Sequence, residues 1–202
     1  MKNININIIN TACKTGKWDL GNEVLYSLCR EYPFHKKDGE IIAKVWLIGR
    51  SYAASIERRK NAKSNNEEFY ESEVVPAIKN SNIDSWLSIT SKLQIPGSEE
   101  SVLVHKKLMD LFASISGHNN RSLASKYLHF HQPKVFFIYD SRARNAITEY
   151  CPKLNKIEDI NTKEFDKEYK DFVRKCVWLR GHIKSLYGLS LKPREIDNFL
   201  LG

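Results

Sequence analysis

Apolar side chains recur along this chain at spacings of three and four, the period of helices that bury one face. The first such segment, residues 19–31, places Leu20, Val24, Leu25 and Leu28 on one stripe. Residues 38–60 open at Asp38, a natural cap, and carry Ile41, Val45, Ile48 and Tyr52 in helical register. Apolar residues occupy much of that segment's circumference, which predicts a central helix. Helices are also predicted over 67–80, interrupted by Pro76, over 84–94, and over 98–116. Ser98, Glu99 and Glu100 suit the positive end of the last of these, and Gly117 suits its close. Others start near Arg121 and run over 141–150, 163–187 and 193–201, with Gly188 and Pro193 at the breaks. The polar stretch NAKSNN, 61–66, predicts an exposed loop.

Strand signals are few. MKNININIIN at 1–10 alternates Asn and Ile as a strand would, and VFFIY at 135–139 is too short for its period to decide. There is no internal repeat, low-complexity tract, phosphate-binding glycine loop or heptad run. The fold class read from the pattern is all-α: one compact, two-lobed helical domain over 1–202 with a single core and a central cleft. Its N-terminal helices span about 18–116, a middle segment about 117–150, and C-terminal helices about 162–201.

Composition adds a partner class. A formal charge of +8 favours a polyanion, since cationic surfaces bind phosphate backbones with release of counterions. Cys13, Cys29, Cys151 and Cys176 are scattered, without a CxxC pair or metal-ligand spacing, and read as reduced thiols of a cytoplasmic protein. No metal or cofactor is expected. The first residues lack the apolar core of a signal peptide, and no apolar run approaches the roughly 18 residues of a membrane span.

The candidate chemistry lies in SLASKYLHFHQPKVFFIYDSRA, 122–143. On a helix starting near Arg121, Leu123, Tyr127 and Phe130 form the core stripe, while Ser122, Lys126 and His129 share another side, where Lys126 is free to face a cleft. Pro133 stops that helix, VFFIY crosses the interior, and Asp140 stands at the N-cap of SRARNAITEY. Capping bonds and the helix dipole hold such a carboxylate ionised and oriented, able to stabilise a developing cation. A lysine shielded from water loses its proton more readily and becomes a nucleophile able to form an imine. The structural alternative is equally ordinary: a capping Asp that only caps, and a lysine whose amine snorkels to solvent.

The order Ser125-Lys126, LHF, Pro133, then FFIYDSRA with Asp140, resembles the core of the helix-hairpin-helix DNA glycosylase superfamily. It is most similar to bacterial proteins described as having the 8-oxoguanine DNA glycosylase fold. The resemblance covers about 117–150 and implies that Lys126 is the nucleophile at the sugar C1′ and Asp140 the carboxylate that stabilises an oxocarbenium-like transition state. The chain departs from the family in three ways. GHNNRSLAS lacks the glycine-rich hairpin, Lys126 and Asp140 are only 14 positions apart, and there is no four-cysteine iron–sulfur loop. The implied activity is base excision, with strand cleavage through the imine, on DNA whose target base is flipped out. Arg121, Ser122, His129, Lys134, Arg142 and Arg144 are the candidate nucleic-acid contacts.

Phe130, Tyr139 and Arg50 are candidate pocket residues, although Arg50 among apolar neighbours calls for a partner, with Glu57 preferred over a ligand phosphate. Trp18, Trp46, Trp86 and Trp178 read as core. His129 and His131, two apart, fall on different sides of a helix and do not share a metal. Arg30 and His35 fit the Arg-x4-His spacing of HEPN-type ribonucleases, but Pro33 breaks the helix that geometry needs. Two other readings compete with excision: a non-catalytic module of the same fold that holds nucleic acid or a protein, and a nucleotide-binding factor in bacterial defence.

Overall fold

The computed structural model describes residues 1–59 and 65–202, and among them all regular structure is helical. In chain order the helices are α1 (Ile6–Ala12), α2 (Asp19–Glu31), α3 (Asp38–Ser51), α4 (Asn66–Phe69), α5 (Val75–Lys79), α6 (Ile83–Ser91), α7 (Glu99–Ser116), α8 (Arg121–His131), α9 (Ser141–Tyr150), α10 (Lys167–Tyr187) and α11 (Pro193–Leu201). No helix among the described residues is long and apolar enough to cross a membrane. Most of the predicted loop NAKSNN, 61–64, lies outside the described residues, as does the end of the helix predicted to reach residue 60.

Caps and breaks follow local chemistry. Ser98, Asp140 and Asp166 each accept a bond from a first-turn backbone N–H of α7, α9 and α10. Gly117 and Gly188 close α7 and α10 at φ 76° and 69°, a left-handed conformation that costs a glycine nothing. Pro76 does not interrupt its helix. A single wide π turn, Tyr70–Val74, joins α4 to α5 and absorbs the place where proline has no N–H to donate.

Several expectations are corrected. Residues 1–10 are not a strand: Asn5 caps α1, and Ile9 and Ala12 are buried against α11. The helix starting at Asp38 ends at Ser51, because Ala53 at φ 52° turns the chain so that Ala54 N donates to Gly49 O at 2.8 Å. A Cβ on Gly49 would stand 3.1 Å from Ser55 Cα, so this reversal needs a glycine or a shift of backbone. The buried face of α2 is Asn22, Leu25 and Cys29, whereas Leu20 and Val24 are exposed. Trp18, 83% exposed, and Trp46 are also outside the core, while Trp86 and Trp178 pack partly buried against it.

Buried hydrophobic residues form two clusters instead of the single core expected. The larger is built from α2 to α8, and the smaller from α1, α9, α10 and α11 with Val102 of α7. VFFIY joins them as neither strand nor helix: Val135 and Phe136 belong to the first cluster, Phe137 and Tyr139 to the second. A buried segment outside any helix or sheet must find other partners for its peptide groups. Ser125 Oγ accepts from Tyr139 N at 3.0 Å and lies 3.3 Å from Tyr139 O. His129 Nδ1–H donates to Phe136 O at 2.8 Å, and the Tyr169 hydroxyl donates to Phe137 O at 3.3 Å.

Two predictions follow from this core. Ser125→Ala strands a buried N–H and should lower stability by about 1–3 kcal/mol in urea melts with an unchanged slope. Burial holds His35 and His129 down at about 4 and His105 at about 3, and lowers His131 as well. Such groups stabilise fully above the unfolded value near 6.5 and lose that contribution as pH falls toward the folded value. Stability should therefore fall steeply between pH 6.5 and 4, by on the order of 1–2 kcal/mol per histidine at pH 5, seen as a falling melting temperature.

Candidate functional site

The crossing segment brings Asp140 to Lys126. Tyr139 is held to Ser125, so the next residue along each element meets its counterpart: Lys126 Nζ lies 3.8 Å from an Asp140 carboxylate oxygen. The other Asp140 oxygen accepts from Ala143 N at 2.8 Å, the expected cap of α9. The Lys126 amine also donates to Ser122 Oγ at 2.8 Å and to Tyr52 O at 3.4 Å, and sits 5.6 Å from the Tyr52 ring centre.

Lys126 does not face an open cleft. The residue is 2% exposed, and the carboxylate of Asp140, with 27% of its side chain exposed, is the member of the pair that meets solvent. Burial lowers the Lys126 pKa, an effect that Asp140 and Asp197 partly oppose. The amine is thus nearer to its neutral, nucleophilic form than a surface lysine.

The other candidates divide sharply. Ser122 serves Lys126. His129 is fully buried, its Nδ1–H spent on Phe136 O and its Nε2 accepting from the Tyr26 hydroxyl at 2.7 Å, so it is closed to a ligand. Arg121 is paired with Asp166 through two nitrogens and with Glu168 at 2.6 Å, and its guanidinium covers the Tyr139 ring, which leaves little of it for phosphate. Arg142, Arg144 and Lys134 are exposed. Phe130 and Tyr139 are core residues, 2% and 6% exposed; Phe130 also forms part of the wall of a cleft of about 490 Å³ between α2, α6 and the end of α8, away from Lys126 and Asp140. Arg50 pairs with Glu57 at 2.6 Å, the preferred partner, and Tyr70 donates to the same carboxylate at 2.9 Å.

Sequence reasoning placed α11 but missed two of its residues, Arg194 and Asp197. Asp197 is 3% exposed; one oxygen accepts from Arg194 Nη1 at 2.9 Å, and the other is buried with no partner, as is Arg194 Nε. The Arg194 guanidinium lies 5.9 Å from the centre of the Tyr52 ring, the ring that Lys126 also approaches. Burial raises the Asp197 pKa to about 6, with Arg194 opposing and Asp140 adding to the rise. A charged residue inside the apolar stripe Pro193, Ile196, Asp197, Leu200 was the available signal.

His35, also buried, donates from Nδ1 to Asp84 at 2.6 Å and accepts at Nε2 from the Tyr127 hydroxyl at 2.7 Å. It and Arg30 share no helix, as Pro33 predicts, since α2 ends at Glu31. Among the described residues no group of His, Cys, Asp and Glu is arranged to hold a metal ion.

Asp197 has a folded pKa above its unfolded value, so the charged form destabilises the fold: the carboxyl's contribution is intact below about pH 4 and lost as pH rises through 6. Asp197→Asn should equal the native chain in stability near pH 4 and exceed it by on the order of 1–3 kcal/mol at pH 8, read from paired thermal melts. The chemistry assigned to these residues stands on their geometry alone, since no protein-family model, curated protein or solved structure matches the chain.

Proposed function

We propose that the chain is a glycosylase-like DNA-binding protein that excises a damaged or modified base with Lys126 as nucleophile and Asp140 as the stabilising carboxylate. One observation carries this reading: an amine depleted of solvent stands 3.8 Å from an oriented carboxylate, on the two elements where the resemblance requires them. In the reaction the Nζ lone pair forms a bond to C1′ as the C1′–N bond to the base breaks. The base departs with that electron pair and takes up a proton. Asp140 lowers the energy of the positive charge that builds on the sugar between these events, an effect worth most where water is excluded. Opening of the sugar ring then leaves an imine between Nζ and C1′.

A second reading has its own support. Lys126 is 2% exposed and its donors are already engaged, as in a module that kept the scaffold and binds without chemistry. For excision, Tyr52 or Arg194 must move aside to admit C1′.

Borohydride reduction separates the two. With abasic-site duplex DNA the native chain should give a covalent adduct and Lys126→Ala none, while Asp140→Asn should slow adduct formation at least about 100-fold. Absence of any adduct from the native chain on abasic and several base-lesion duplexes would leave the binding module.

A further inference from the structure

Arg194, whose guanidinium lies 5.9 Å from the centre of the Tyr52 ring, also lines a cleft of about 440 Å³ that the sequence did not single out. Lys14 from the α1–α2 connection, Arg30 at the end of α2, Lys134 at the start of the crossing segment, and Lys192 and Arg194 at the start of α11 line it. These five cations outnumber the three carboxylates in the same lining, Asp19, Glu23 and Glu195. Two of those carboxylates are already committed: Asp19 accepts from Gly16 N at 2.5 Å and Glu195 from Lys192 N at 2.7 Å. Among the described residues no ion pair holds Lys14, Lys134 or Lys192, and Arg30 donates only to Ser27 Oγ. Arg194 spends Nη1 on Asp197 and has a buried Nε–H with no acceptor.

Unpaired cations converging on one concave surface cost a protein self-repulsion, which an anionic ligand removes. Four separate segments each bring a cation, which suits a chain of anions more than a single one. The geometry points to this cleft as the track of the DNA backbone, with Lys14, Lys134 and Lys192 neutralising successive phosphates and Arg194 offering the donors that Asp197 leaves unused. This rests on the DNA-binding reading above and names the surface that does the binding. It also replaces the missing glycine-rich hairpin with side-chain cations, and it ends at Arg194, one aromatic ring away from Lys126.

The test is a salt titration of binding to a duplex containing a stable abasic-site analogue, read by fluorescence anisotropy between about 50 and 200 mM salt. Each phosphate contact contributes about −0.9 to the log–log slope, so Lys14→Ala/Lys134→Ala/Lys192→Ala should flatten it by about 2–3 and weaken binding at least tenfold at the lower salt. Lys134→Gln alone should flatten it by about 1. A control triple, Lys153→Ala/Lys156→Ala/Lys163→Ala, removes equal charge from exposed positions outside the cleft and should leave slope and affinity near the native values. All substituted lysines are exposed, and matching thermal melts verify that the variants fold. An unchanged slope in the cleft triple, equal losses in both triples, or no binding of the native chain at low salt would overturn the inference. Cleft-dependent binding without a borohydride adduct would instead sink the excision reading and leave the cleft in place.

Discussion

A peptide segment that is buried and outside any helix or sheet can persist only if other groups satisfy its backbone. Residues 135–139 meet that condition through Ser125, His129 and Tyr169, and much of the molecule follows from it. Phe136 and Phe137, neighbours in sequence, enter different hydrophobic clusters, so the segment is also the covalent pin between them. The side of α8 that seems polar in the sequence is thus mostly internal. Ser125 and His129 face the crossing chain, and Lys126 between them faces its end.

The charges around Lys126 follow a related economy. Lys126 and Asp197 are nearly sealed from water, and each is shadowed by a partner with more exposure, Asp140 and Arg194 respectively. Arg194 does not fully offset the cost of burying Asp197, one of whose oxygens has no partner, so the ionised form weakens the fold. Burial pushes the amine down and the carboxylic acid up, so both move toward neutrality.

Most helices were legible, because caps such as Ser98 and Asp140 and closers such as Gly117 and Gly188 act locally. The all-helical class and the approach of Lys126 to Asp140 were legible for the same reason. What escaped depends on distant partners. Leu20 and Val24 carry the helical period but find nothing to pack against, whereas Asn22 is buried and bonded to the Tyr52 hydroxyl. The Asn/Ile alternation at the start suits a strand until Asn5 caps a helix against α11. Arg121 was a natural phosphate contact by position, and only the fold shows it claimed by Asp166, which is 45 residues away. Asp197 could be flagged as a charge inside an apolar stripe, but its neighbours Arg194 and Tyr52 come together only in the fold.

The Ser125–Tyr139 clamp joins the residues immediately before the amine and the carboxylate. Their separation is therefore a property of the folded chain and does not have to be created by whatever binds. The entropy of bringing the two groups face to face is surrendered once, during folding, so an encounter has only to displace what covers Lys126. Loosening that clamp by a single oxygen atom would return part of this entropy to every encounter, while leaving both reactive groups chemically intact.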